Sequence, residues 1–367
     1  MAAALALPGI TLDAHAENAP EHGLVSVKYL SYQDSQPGLE RVKVSSPSIY
    51  VLAPLSTRWS LEGAGVLDSV SGATPRYHTA ISGASKMKEE RRAVDAKLTR
   101  FEERSAYALG LSTSTEHDYQ SNAVSFDARF SSDDNNTSVN LGLGYSSDKV
   151  SSVNDATLHK RKRTAELLLG VTQALTPADL VQLNLTYSSG RGYYSDPYKE
   201  PDIRPDSRTQ GILLARWNHH VEGLGATLRT SYRYYRDSFG IRAHTLGAEW
   251  VQPVGERVTV TPSLRLYSQS AASFYYDPVY DPAVGAPYPP GYFTNPPQYI
   301  SPDQRLSAFG GVTLGLKLAV QITPDWSADL KGERYEQRSN WRLGGEGSPG
   351  LDPFRATFIQ VGVNKRF

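Results

Sequence analysis

A chain of 367 residues with 38 basic and 38 acidic side chains, no net charge and no cysteine has no excess of positive charge for nucleic acid. It also has no thiol for catalysis or metal binding. Only 39% of it is hydrophobic and the mean hydropathy is −0.43, yet 22 tyrosines and 30 glycines make it too aromatic for a disordered chain. No window approaches the roughly eighteen consecutive apolar residues of a membrane-spanning helix, so residence in a membrane would require strands.

The first segment, Ala2 to Leu12, is small and apolar and is followed by Ala14-His15-Ala16, the small-x-small form of a signal-peptidase site. Residues 1–16 therefore read as a signal peptide remnant lacking its basic start, and residues 17–367 as a single barrel domain beginning at Glu17. From Leu24 onward the chain alternates with period two in segments of 8 to 17 residues, the length and period of tilted membrane strands. We expect strands at 24–34, 46–53, 57–68, 93–101, 105–115, 122–132, 136–148, 163–174, 180–190, 209–221, 225–237, 241–251, 258–270, 305–322, 326–338 and 354–367. Val139, Leu141, Leu143 and Tyr145 share one face against Asn140, Gly142 and Gly144. Val312, Leu314, Leu316 and Leu318 likewise oppose Thr313, Gly315 and Lys317.

In this parse every second connection is short, from Pro54-Leu55-Ser56 to Thr323-Pro324-Asp325, while 69–92, 149–162, 191–208, 271–304 and 339–353 are long. Short periplasmic turns alternating with long outer loops mark an all-β, transmembrane, antiparallel up-and-down barrel of about sixteen strands, range 14–18. The last strand puts Thr357, Ile359, Val361, Val363 and Phe367 on one face and ends on an aromatic residue, the form that barrel-assembly machinery reads as a signal.

Two loops carry candidate sites. In the first, Ser71-Gly72-Ala73 recurs as Ser82-Gly83-Ala84 around Pro75, Tyr77 and His78, small residues that allow close backbone approach. The segment reads either as a constriction folded into the lumen or as a long surface loop. The charge run Lys86 to Arg92 that follows reads as a solvated strand edge. In the second loop Tyr275, Tyr276, Tyr280, Tyr288, Tyr292 and Tyr299 stand among seven prolines, suited either to a partner or planar ligand or to self-packing that caps the barrel. Inward-facing Arg229, Arg233 and Arg265 with Glu166 and Glu249 would tune ion selectivity or neutralise one another. His219-His220 would point to opposite strand faces and cannot chelate one ion. Gly344-Gly345-Glu346-Gly347 lacks the strand-to-helix context of a phosphate loop, and no Gly-x-Ser-x-Gly elbow is present.

Ser71 to Ala73, Ser82 to Ala84, Tyr193 to Lys199, Tyr234 to Asp237 with Gly240-Ile241, His244 to Leu246, and Ser301 to Asp303 before Arg305 to Ser307 resemble a family of bacterial outer-membrane barrels known only as a domain of unknown function. The resemblance spans residues 24 to 367. Members of that family tend to be encoded near a small lipoprotein, thioredoxin-like proteins and FAD:protein FMN transferase, which implies a role in extracytosolic redox or flavin-linked traffic. The covalent flavin-attachment signature Asp-Gly-x-Thr-Gly/Ser-Ala-Thr/Ser is not found in this sequence. The expectation is a non-enzymatic, porin-like or transport barrel of the bacterial outer membrane without cofactor, metal site or nucleic-acid partner. Its partners would be outer-membrane lipids, the assembly machinery and a periplasmic or surface redox lipoprotein. The alternative is a closed structural barrel that anchors or sleeves such a lipoprotein, with an embedded hydrolase third.

Overall fold

Period-two alternation leaves the backbone one way to satisfy all of its amides on both edges, which is to close the sheet on itself. In a computed structural model, which describes residues 18–73, 86–277, 288–289 and 291–367, it does so. The strands are β1 (Leu24–Gln36), β2 (Leu39–Ser56), β3 (Trp59–Ala73), β4 (Lys86–Glu102), β5 (Ser105–Thr115), β6 (Tyr119–Ser131), β7 (Thr137–Val150) and β8 (Lys160–Thr176). They continue as β9 (Asp179–Gly192), β10 (Ser207–Val221), β11 (Ala226–Asp237), β12 (Arg242–Val254), β13 (Val258–Gln269), β14 (Phe309–Gln321), β15 (Trp326–Arg338) and β16 (Phe354–Arg366). Each pairs antiparallel with its chain neighbours, and β1 meets β16 from Leu24↔Arg366 to Ser35↔Arg355, giving a closed barrel of sixteen strands.

One end of the barrel carries tight turns. Between β6 and β7 the chain reverses through Asn135 at φ 56, a left-handed conformation that asparagine tolerates better than most residues. Hydrogen bonds from the Ser132 hydroxyl and the Asn136 amide hold the Asp134 carboxyl there down at about 2. The other end carries the long loops. Residues 1–17, with the expected cleavage site, lie outside the described residues, as do Pro75, Tyr77, His78, Ser82, Gly83, Ala84 and Tyr280.

Two expectations fail at the loop end. Residues 35–45 are not a connection: β1 and β2 run on to Gln36 and Leu39, and only Pro37 and Gly38, the latter at φ 71, make the turn. Residues 69–92 are not one long connection either, since β3 runs on to Ala73 and β4 begins at Lys86. Its Arg91 turns inward and donates to Asp68 at 2.7 Å. Strands that continue past the apolar belt have water on both faces, so the hydrophobic alternation that would reveal them is lost.

The outer face of the wall is apolar. Leu111 and Leu314 are each 60% exposed and Leu185 52%, in register with further exposed aliphatic side chains around the barrel. Trp59, Trp217, Trp250 and Trp326 all stand near the turn end of this face, and Tyr29, Tyr145, Tyr187, Tyr232 and Tyr234 lie toward the loops. Two aromatic girdles flanking an apolar band are the pattern of a wall set in a bilayer. The buried apolar cluster of the described residues lies outside the barrel centre, at the loop end: Phe239, Ile241, Ala272 and Leu306, with Tyr194, Tyr235, Phe274 and Tyr275 against it.

Candidate functional site: the lumen and its collar of loops

Antiparallel partners share a face, so the register fixes what lines the lumen. Arg229 opposes Glu249, Arg233 opposes Thr245, and Arg265 opposes Gly247 and Thr313, all inward, as does Glu166 opposite Gly144. The structure thus brings all five expected lumen residues onto the inner wall. Asp95, Asp127, Glu166, Arg216, Glu249 and Arg265 point inward and are nonetheless exposed. Gly110, Gly142, Gly144 and Gly247 share the inner face and thin the wall beside these charges.

The charges are sorted around the circumference. Below the rim, where Arg91 pairs with Asp68 and Lys162 with Asp148, the inner wall along β3 to β8 holds Glu62, Asp95, Asp127 and Glu166 with Lys97 and Arg129. From β10 round to β1 it holds Arg216, Arg229, Arg233, Arg265, Lys317, Lys331 and Lys28 with Glu249, Asp329 and Glu333. Contacts are sparse: Lys97 reaches Glu62 at 2.9 Å, Lys331 reaches Glu333 at 2.9 Å, and Arg216 donates to Gln182 at 3.2 Å. Below the rim, one side of the lumen is acidic and the other basic, which sets a field across it.

At the loop end the chemistry changes. Asp237, the last residue of β11, accepts the Ile241 amide at 2.9 Å and the Arg208 Nε at 3.0 Å, and the Arg208 guanidinium lies 4.5 Å over the Phe239 ring. Beyond it, residues 193–206 and 270–308 are joined by a backbone bridge between Ile203 and Ile300, with donor–acceptor distances of 2.8 and 2.9 Å. Six charged side chains converge around that bridge. The Asp303 carboxylate, with no exposed side-chain surface, accepts from Arg204 at 2.8 Å and from Arg305 Nε at 2.7 Å, and lies 3.5 Å from Lys199. Asp202 takes both Nε and Nη2 of Arg204, at 2.7 and 2.6 Å, and the Ser301 hydroxyl at 2.7 Å. Asp196 takes Arg305 Nη2 at 2.7 Å and Lys199.

Three acids against three bases leave the cluster neutral. Burial pushes the Asp196 carboxyl up, but Lys199 and Arg305 outweigh it and hold it at about 2. Asp303 is likewise raised by burial and driven well below the usual range by Lys199 and Arg305. Asp202 ends above its ordinary value because burial prevails over Arg204. Further bonds extend the collar. The Tyr198 hydroxyl donates to Asp118 between β5 and β6 and accepts the Val153 amide, at 3.1 Å, between β7 and β8. Gly350, between β15 and β16, donates to Asp277 at 2.7 Å. The rim is tied together from β5 to β16.

Of the tyrosines expected in the second loop, Tyr275 is half-buried in this collar and donates to Asp277 at 3.0 Å, and the Tyr299 ring lies tilted against Phe274 at 6.4 Å. The Tyr276 amide donates to the Ser301 carbonyl. Tyr288 and Tyr292 lie 4.8 Å apart with Phe293 against both, and burial followed by a hydrogen bond to Glu200 pushes Tyr288 up to about 12. In the first loop Ser71, Gly72 and Ala73 end β3, their backbone paired with Lys88, Met87 and Lys86. Phe367 pairs its main chain with Gly23 at the β1–β16 seam. His219 bonds to Asp179 at 2.8 Å beside Trp217 on the outer face, apart from His220. The six-residue ion cluster was not foreseen. Four of its members, Asp196, Lys199, Asp303 and Arg305, sit in or beside stretches on which the family resemblance rests, and that was its available signal.

These features define an outer-membrane type of β-barrel with a self-packed collar. The chain belongs to the family described as "Protein of unknown function (DUF3570)", whose pattern matches residues 1–161 and 154–358. Among solved structures it is similar to a bacterial polysaccharide outer membrane secretin, with TM-score 0.51, 8% identity, and 94% of this chain and 98% of that one covered. It is also similar to CdiB from Acinetobacter baumannii, with TM-score 0.50, 10% identity and coverage of 92% and 60%. The siderophore receptor PirA from Pseudomonas aeruginosa gives TM-score 0.49, 12% identity and coverage of 93% and 61%, so the chain spans about three fifths of PirA and CdiB. No curated protein matches in sequence.

Proposed function

We propose that the protein is a non-enzymatic channel of the bacterial outer membrane, passing small hydrophilic solutes through a water-filled, charge-sorted lumen under a collar of loops. The observation that carries this reading is the set of inward side chains, Asp95, Asp127, Glu166, Arg216, Glu249 and Arg265, that face the barrel axis and remain exposed. In a packed lumen they would be desolvated and would need partners at close range. The turn end, with Leu24 and Arg366 paired beside it, is the periplasmic end, and the collar faces outward. The outer face of β16, with Ile359, Val361 and Val363 leading to Phe367, is the surface the assembly machinery reads. Service to an extracytosolic redox or flavin-linked system is the role implied by the family resemblance.

The test is conductance of the refolded barrel in a planar bilayer, with correct folding shown by heat-modifiable mobility on a gel. Stable steps with ion selectivity are expected, and a folded but silent barrel overturns the channel. That result would favour a structural barrel presenting its collar to a redox lipoprotein. The aromatic group of half-buried Tyr288 and Tyr292 with Phe293, the last 70% exposed, supports this second reading.

A further inference from the structure

On the outer wall at the loop end, β11 and β12 place Arg236 and Arg242 directly opposite each other. Both are on the face of Tyr234 and His244, and both are exposed. Two guanidinium groups in opposed positions repel, and among the described residues neither has an acidic partner. A third guanidinium, that of Arg342, arrives from the loop after β15 and donates to the main-chain carbonyl of Glu346, leaving its charge uncompensated. Arg242, His244 and Arg342 line a cleft of ≈ 420 Å³ together with Ser268, Gln269 and Ser270, and Arg236 stands beside it, across from Arg242. The neighbouring Arg338 differs, since Glu336 neutralises it.

Directly below the cleft the same strands turn apolar. Leu246, two residues beyond His244, is 52% exposed and stands in register with Leu266, while Leu314 on β14 is 60% exposed. Arg242 is four residues from Leu246, so its charge sits about 10 Å above the first aliphatic ring of the belt, allowing for strand tilt. Tyr232, bonded to His244 at 2.7 Å, marks the boundary between the two.

We propose that this cleft binds the phosphate of a phosphorylated glycolipid in the outer leaflet, with Arg236, Arg242 and Arg342 on the phosphate and the acyl chains along Leu246, Leu266 and Leu314. The charge lies at headgroup level, faces the membrane rather than the lumen, and is continuous with a lipid-facing surface. A soluble acidic protein would not reach a site flush with that belt. The inference rests on the outer-membrane reading and is independent of whether the lumen conducts.

The experiment is native mass spectrometry of the refolded full chain in detergent with added bis-phosphorylated lipid A, the same lipid dephosphorylated, and inorganic phosphate. Wild type should retain the phosphorylated lipid, and Arg236→Gln/Arg242→Gln should weaken it at least ~10-fold, the scale of two lost charge-assisted bonds. The lumen-facing pair Arg229→Gln/Arg265→Gln, with the same charge change, should leave it unaltered. Equal retention of the dephosphorylated lipid, or an unaffected outer double variant, overturns the site. Retention of inorganic phosphate as tight as that of lipid assigns it to a free anion instead. A chain that shows no heat-modifiable mobility in any lipid or detergent would bring down the outer-membrane reading itself, a failure visible before any ligand is added.

Discussion

The collar and the lumen wall use the same residue types in opposite ways. In the collar, Asp196, Asp202 and Asp303 are matched one for one by Lys199, Arg204 and Arg305 at 2.6 to 3.5 Å, and the Asp303 carboxylate has no exposed surface. On the wall, Arg265 and Glu166 make no ion pair among the described residues and stay exposed. Buried charges demand partners because desolvation is costly, whereas hydrated ones do not. The pairing pattern therefore separates the packed collar from the sparsely paired wall.

The sharpest break of that contrast is Asp303→Ala. It leaves Arg204, Arg305 and Lys199 with three cations facing two acids in a buried site, and should cost the collar about 3–5 kcal/mol. Limited proteolysis should show cleavage in 193–206 and 270–308, while the barrel keeps its heat-modifiable mobility because its strands do not depend on the cluster. Loss of both together would mean that collar and wall fold as one unit. Acid should act on the same place. Asp196, held at about 2, and Asp303, driven well below the usual carboxylate range, add stability that is fully present above the unfolded value near 3.9. That stability is lost as pH falls through the folded values, while Asp202, shifted upward, opposes the trend in part. Protease resistance of the collar should hold from pH 7 to pH 5 and fail only below about pH 4. Opening near pH 6 would contradict the assignment.

The barrel was legible because its outer face must be apolar on every second residue wherever it meets lipid. Val139 to Tyr145 and Val312 to Leu318 announce strands with no tertiary information. Legibility ended where the lipid does. Lys86 to Arg92 and residues 35–45 form strands held by backbone pairing and by contacts such as Arg91 with Asp68, and no hydrophobic period marks them. The lumen residues Arg229, Arg233, Arg265, Glu166 and Glu249 could be placed by counting alternate positions from apolar neighbours. The collar cluster could not, since Asp196 and Arg305 are joined only by the fold.

On the wall, Arg265→Glu should change function far more than stability. Its side chain is exposed beside Gly247, so stability should move within about 0.5 kcal/mol, while the ratio of cation to anion permeability should rise several-fold as the basic side of the lumen loses its sign. An unchanged ratio would show that ions do not pass near β13.

The smallest expected effect is the most discriminating. Glu62 pairs with Lys97 at 2.9 Å and accepts the Tyr50 hydroxyl at 3.0 Å, with side-chain exposures of 23% and 41% for the two ions. In a hydrated lumen Glu62→Gln removes a solvated pair and should cost about 0.2–1 kcal/mol in urea unfolding from lipid. In a dry lumen the same change strands Lys97 without its counter-charge and should cost about 3–5 kcal/mol, the amount expected for Asp303 in the collar. A cost of that larger size at Glu62 would show a sealed interior and remove the physical basis of the channel, even with every strand in place.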